Sequence, residues 1–254
     1  MSMPTIFVSH GSPTLILNDA PARRFLASLG KELPRPIAIV AVSAHWDTDV
    51  PAVSLARRPG TIHDFYGFPD ALYELRYDAP GAPALAERVA KLTGAAHDPH
   101  RGLDHGAWVP AMLGWPEADI PIFQLSVQPD ESPAHHIALG RKLAPLRDEG
   151  VLVMGSGSAT HNLRALVRNG AASEPEPWAQ AFDDWLADTV EKGDEAALAG
   201  YRSQAPYAVE NHPSDEHLLP LHVAYGAAGE GARGRPLHRS FTLGNLSMAS
   251  YAFG

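Results

Sequence analysis

Ile37-Ala38-Ile39-Val40-Ala41-Val42-Ser43, running into Ala44-His45-Trp46, is the stretch that decides the fold. An almost continuous apolar run between turn signals reads as a strand covered on both faces, the mark of a parallel sheet between helical layers. It ends on a histidine. The pattern recurs upstream, where Thr5–Ser9 (TIFVS) reads as a buried strand and stops at His10-Gly11-Ser12-Pro13. It recurs downstream, where Val151–Met154 closes on Gly155-Ser156-Gly157-Ser158, with His161 shortly after. Ile120–Val127 is a further strand, with Pro121 leaving a ladder gap at its start. Helices are expected at Ala20–Leu29, with Asp19 as N-cap and Gly30 as stop, and at Ala84–Leu92, Pro133–Leu146, Trp178–Val190 and Pro213–Ala227. Residues 57–82 hold little regular pattern and read as a long ordered loop around Thr61–Asp70, Gly226–Arg235 as a Gly/Ala-rich surface loop, and Phe241–Leu246 as a strand-like or extended segment. Strands alternating with helices predict an α/β fold: a single domain over residues 1–254, layered, its central sheet largely parallel or mixed and flanked by helices.

Composition narrows the function. With 29 acids against 20 bases among 254 residues, the formal net charge is −9. Such a surface repels phosphate backbones, so nucleic acid is not an expected partner. Cysteine is absent, which excludes disulfides, thiolate catalysis and sulfur-ligated zinc and fits a cytoplasmic location. No apolar run approaches the roughly 20 residues of a membrane span, so no membrane partner is expected. Beside zero cysteines stand 13 histidines, the commonest metal ligands and proton-transfer groups.

Ligands in open α/β sheets bind beyond the carboxyl ends of the strands. If the strands ending at His10, at His45 and before His161 are parallel neighbours, these histidines converge on one sheet edge. A lone strand-end histidine is usually a hydrogen-bonded loop residue, but three repeats of the pattern weigh against that. A fourth candidate is His217, with Glu216 beside it, one turn into the helix begun by Pro213; spacing alone does not choose between the two. The fifth is His105 in Asp104-His105-Gly106, which reads as a tight polar turn and could equally be structural. His63-Asp64-Phe65 raises the same question within the long loop.

Six blocks in this order carry a resemblance: Ser9–Pro13, Ser43–Trp46, Thr61–Phe65, Asp104–Gly106, Gly155–Gly157 through His161-Asn162-Leu163, and Pro213–Leu221. Together they resemble the class III extradiol aromatic ring-cleaving dioxygenases, in the branch similar to DOPA 4,5-dioxygenases, over about residues 4–251. The resemblance implies non-haem Fe(II), with His10 and His45 as the first two ligands. The wider family's third ligand is a glutamate; the matching position here is His217, with Glu216 adjacent. His161 matches the acid/base histidine and is also a candidate fourth ligand, and His105 matches a further active-site histidine. The implied reaction joins O₂ to a catechol, DOPA-like or related, opening the ring outside the diol to a semialdehyde acid. Zinc is expected to occupy the site in purified protein, because it binds such ligands more tightly than iron(II).

Three rival readings remain: a zinc-dependent hydrolase, a non-catalytic metal-binding protein on the same scaffold, and a phosphate site at Gly155–Ser158, which lacks the lysine and spacing of a P-loop. Trp46, Phe65 and Tyr66 are candidate neighbours of the ring, and no arginine in the matched blocks presents itself for a substrate carboxylate. A homodimer is a common assembly of soluble chains in general.

Overall fold

The computed structural model describes residues 2–166 and 174–254. The described residues form ten strands: β1 (Thr5–Ser9), β2 (Ala38–Asp47), β3 (Ala52–Ser54), β4 (Ala96–Asp98), β5 (Ile122–Val127), β6 (Val151–Gly157), β7 (Gly234–His238), β8 (Phe241–Thr242), β9 (Leu246–Ser247) and β10 (Ser250–Phe253). The longer helices are α1 (Pro21–Glu32), α2 (Pro83–Thr93), α3 (His105–Gly114), α4 (Pro133–Arg141), α5 (Pro177–Lys192) and α6 (Leu219–Ala227).

Eight strands form one sheet in the order β4-β3-β5-β2-β6-β1-β10-β7. Its centre, β5-β2-β6-β1, is parallel throughout, whereas β3, β10 and β7 pair antiparallel with their inner neighbours. The sheet is therefore mixed, and β2, β6 and β1 are the adjacent parallel trio that the histidine pattern demands. Alternation along the strands divides the core. Ile6, Val8, Ile39, Ala41, Leu152 and Met154 face α1 and α3. Val40, Val42, Phe123, Leu125, Val151 and Val153 face the layer containing α2, α4 and α6. Phe7, Tyr251 and Phe253 extend that second face beneath α5 and α6. Each fully buried Val, Leu or Ile contributes about 1.5–3 kcal/mol relative to exposure, so a strand apolar on both sides has no solvated alternative.

Several elements differ from the sequence expectation. The first helix passes Gly30 to end at Glu32, and Ala20 rather than Asp19 is its N-cap; Asp19 instead pairs with Arg24. Pro133–Leu146 divides into α4 and a 3₁₀ turn, Ala144–Glu149, because Pro145 cannot continue the ladder. The expected surface loop Gly226–Arg235 is partly ordered: Gly226 and Ala227 end α6, and Gly234 opens β7. Strand β10 had no apolar run long enough to stand out. Phe241–Leu246 is strand at both ends but turns back between them, forming most of a small hairpin, β8 against β9. The largest difference is α3. Asp104-His105-Gly106 is no isolated turn: Asp104 is the N-cap, accepting from Ala107 N at 3.2 Å, of a helix buried on nearly all sides. A helix without a polar face has no amphipathic period to betray it.

Candidate metal centre

His10 follows the last residue of β1, and its backbone N–H donates to Gly157 O on neighbouring β6 at 3.0 Å. His45 lies near the end of β2 and His105 opens α3. His161 follows β6, its N–H donating to Asn211 O at 2.9 Å. His217 is not inside a helix, as expected from Pro213 onward, but in the turn before α6, which starts only at Leu219. That turn is pressed onto β6. A Cβ on Gly157 would stand 2.0 Å from His217 O, and one on Gly155 would stand 2.2 Å from Pro220 O. Two glycines at alternate positions of one strand therefore admit the backbone that carries His217.

All five histidines border one cavity of about 350 Å³. His10 and His45 meet with Nε2 atoms 3.0 Å apart. The ring centroids of His45 lie 4.0 Å from His105 and 5.0 Å from His217. His161 stacks on His217 at 3.4 Å with an interplanar angle of 11°. Their ligand atoms form two adjoining groups, His10–His45–His105 and His161–Glu216–His217, each within 4.8 Å.

For three of the rings, hydrogen bonding fixes which nitrogen faces the cavity. The Ser156 hydroxyl donates to Gly106 O, so it accepts from His10 Nδ1–H at 3.0 Å, leaving the Nε2 lone pair inward. His105 Nδ1–H donates to Asp64 Oδ2 at 2.9 Å, and His105 N–H donates to Asp64 Oδ1 at 2.9 Å. His217 Nδ1–H donates to Glu216 Oε1 at 2.9 Å. Outward Nδ1–H to carboxylate or hydroxyl with inward Nε2 is the arrangement of metal-binding imidazoles. In this arrangement His45 Nε2–H donates to His10 Nε2, and a cation would take that proton's place. Two nitrogens each about 2.0–2.1 Å from one ion and at right angles lie roughly 3 Å apart, which the observed spacing matches. The residues present fit a metal.

Burial, then the neighbouring imidazoles His45 and His105, pushes His10 well below the ordinary histidine range. Burial likewise lowers His45 and His161 to about 4, and it holds His217 well below its ordinary value. All four are neutral near pH 7, the form that binds metal. Burial alone would raise Asp64, but hydrogen bonds from His105 outweigh it and hold the carboxyl below its ordinary range.

Behind the histidines lies a buried polar network centred on Asp104. Asp104 is fully buried, accepting from Ser43 Oγ at 2.6 Å, Arg101 Nη2 at 2.7 Å and Gln124 Nε2 at 2.8 Å. Arg101 Nη2 also donates to His45 O at 3.1 Å, tying the His45 backbone to the α3 cap. Of the expected ring neighbours, only Phe65 lines the cavity, joined by Phe68. Tyr66 is 93% exposed, and Trp46 is buried beneath Arg101 instead. His63 stays outside the lining, bonded to Leu75 O at 3.1 Å. Asp64 and Ser156 lie within the sequence motifs, but their pairing with His105 and His10 has no sequence signal, because it needs the folded loop.

The fold and the histidine site define a class. The family described as the catalytic LigB subunit of aromatic ring-opening dioxygenase matches residues 4–254, and the chain belongs to it. Among its relatives, the 4,5-DOPA dioxygenase extradiol of Beta vulgaris is 46% identical over 98% of this chain and 96% of that protein. The 4,5-DOPA dioxygenase extradiol of Escherichia coli K12 is 41% identical over 99% of this chain and 95% of that protein. A crystal structure of an uncharacterized protein from Escherichia coli K12 superimposes with a TM-score of 0.83 and 35% identity, covering 99% of this chain and all of that one. No helix among the described residues is long and apolar enough to cross a membrane.

Proposed function

We propose that the chain opens a catechol ring outside the diol with O₂, at Fe(II) held by His10, His45 and His217, giving a semialdehyde acid. One observation carries this: five histidines from separate parts of the chain converge on one cavity, three with Nε2 lone pairs held inward by outer hydrogen bonds. Iron, when bound, supplies chelation of both hydroxyls and the activation of O₂.

The protein's part is orientation and proton handling. His161, neutral near pH 7, is the base that takes a catechol hydroxyl proton. Its ligand nitrogen lies within 4.8 Å of the ligand atoms of Glu216 and His217, so His161 would also be placed to act as a fourth ligand of a zinc-loaded site. His105 presents Nε2 to the substrate while Asp64 restrains its ring. Phe65 and Phe68 border the space for the aromatic ring. The names of the relatives favour a DOPA-like or related catechol. The acidic, cysteine-free composition supports cytoplasmic work without nucleic acid or membrane, and a homodimer is a common assembly of soluble chains in general.

The test is anaerobic reconstitution with Fe(II) followed by oxygen uptake with a catechol panel. Stoichiometric O₂ consumption and a yellow semialdehyde are expected. Ester or phosphate turnover with zinc, and no O₂ uptake, would point to a hydrolase instead.

A further inference from the structure

His217 reaches the metal centre on a stretch of chain that belongs to no helix or strand. Pro213 keeps His212 out of the helical region, at φ −127° and ψ 84°, so the short helix Ala208–Asn211 stops there. Helix α6 does not begin until Leu219. Within the turn between them, Leu218 N and Leu219 N both donate to Asp215 O, at 2.9 and 3.2 Å. An irregular turn keeps a functional side chain within about 0.5 Å of its working position only if surrounding groups lock it.

Two such groups come from the short helix Tyr201–Gln204. Arg202 Nη1 donates to His212 O at 2.7 Å, and its Nη2 donates to Asp215 Oδ1. The fully buried Tyr201 donates its hydroxyl to the same Oδ1 at 2.8 Å, and the guanidinium lies 5.7 Å from its ring centroid. The rigid fork of arginine thus spans positions 212 and 215 and fixes the approach of the chain to Glu216 and His217. The same stretch is bonded at three points to Ser158–His161. Ser158 N–H donates to His217 O, His212 Nε2–H to Ala159 O and His161 N–H to Asn211 O, each at 2.9 Å. Held in both ways, the turn brings His217 to 3.4 Å from His161 in a stacked pair.

We propose that Arg202, with Tyr201, is a positioning residue of the metal centre: by holding His212 O and the Asp215 carboxylate together, it sets where the His217 ring stands against His10, His45 and His161. This rests on the place given to His217 among the metal ligands in the ring-opening reading above. Without the guanidinium, Asp215 and His212 O lose charge-assisted bonds. The turn then gains freedom, and the cost of ordering it opposes metal binding.

The experiment measures zinc Kd by chelator competition, the visible spectrum of the cobalt-loaded chain, and Tm. Arg202→Met should weaken zinc binding by about 10–100-fold and alter the cobalt spectrum, which reports ligand geometry. Arg202→Lys, which keeps the charge and one donor, should recover part of that affinity, and Tyr201→Phe should lose about two- to tenfold. Arg147→Met controls for stability alone. Arg147 also bonds two backbone carbonyls, Met3 O and Ala228 O, but from the turn leading into β6, at the other end of that strand from the histidines. This variant should lower Tm with zinc Kd and cobalt spectrum unchanged. An unchanged zinc Kd or cobalt spectrum in Arg202→Met, or an equal affinity loss in Arg147→Met, would overturn the proposal. If Arg202→Met does not fold, unaltered zinc binding in both Arg202→Lys and Tyr201→Phe would overturn it instead. His217→Ala judges the underlying reading separately. Unchanged zinc affinity there removes His217 from the ligand set, whereas a loss there beside an unaffected Arg202→Met defeats the positioning role alone.

Discussion

At the scale of single residues, one hydroxyl connects the sheet to the site. Ser156 gives its proton to Gly106 O and accepts from His10 Nδ1, so its removal leaves the His10 ring without its tautomer lock. Ser156→Ala should weaken metal affinity by about 10–100-fold in a chelator competition, while His10→Ala and His45→Ala should abolish metal retention with the fold intact. Full metal occupancy in either histidine variant would strike that residue from the ligand set. Glu216 and His217 separate the same way. Because Glu216 bonds His217 Nδ1, the carboxylate acts through the ring, and His217→Ala should cost more metal affinity than Glu216→Ala. The reverse order would make Glu216 the ligand. For His161, iron-loaded His161→Ala should bind catechol yet turn over about 10²–10⁴-fold more slowly. An unchanged kcat would refute the base assignment.

At the scale of elements, the site depends on how closely one turn lies on one strand. Gly157 ends β6 where His217 O passes overhead, and Ser158 N–H donates to that same carbonyl at 2.9 Å. A methyl group there meets backbone, which cannot rotate away. Gly157→Ala should therefore lift the His217 turn, costing roughly 1–3 kcal/mol by overpacking and lowering metal affinity at the same time. Denaturant unfolding and metal titration of one sample check both. Loss of stability with unaltered metal binding would show that His217 is positioned by something other than β6.

For the whole molecule, the buried histidines outside the site act on acid stability together with those inside it. His136 donates through Nδ1 to Ser132 O at 3.0 Å and accepts through Nε2 from Gln128 N at 3.1 Å, a pairing only the neutral ring can make. Burial lowers His136 and His222 to about 4 and His212 to about 3. Unfolded, each takes a proton below about 6.5; folded, each stays neutral until near pH 4 or below. Between those limits the unfolded chain binds more protons, so stability is complete above about 6.5 and falls as the pH drops toward 4. Thermal melts of the metal-free chain across pH 7 to 4 should show Tm dropping by several degrees or more. A constant Tm over that window would mean that these rings are not buried neutral.

The layered α/β fold, the central strands and the three strand-end histidines were all legible in the chain. A run such as Ile37–Ser43, apolar on both faces, has only one environment that satisfies it, and strand ends in such a sheet gather on one edge. The six motifs carried the family as well, since their order does not depend on knowing contacts. Helix α3, β10 and the β8–β9 hairpin were not legible, because a helix buried all round has no period and short strands carry too few residues to show alternation. Only the tertiary structure decided the inward nitrogens of His10, His105 and His217, the pairing of Asp64 with His105 and of Ser156 with His10, and the place of His217 before its helix. Each of these joins residues far apart in the chain through a hydrogen bond or a van der Waals approach a few ångströms long. Local residue pattern carries propensity and burial, but it does not encode which distant atoms will meet.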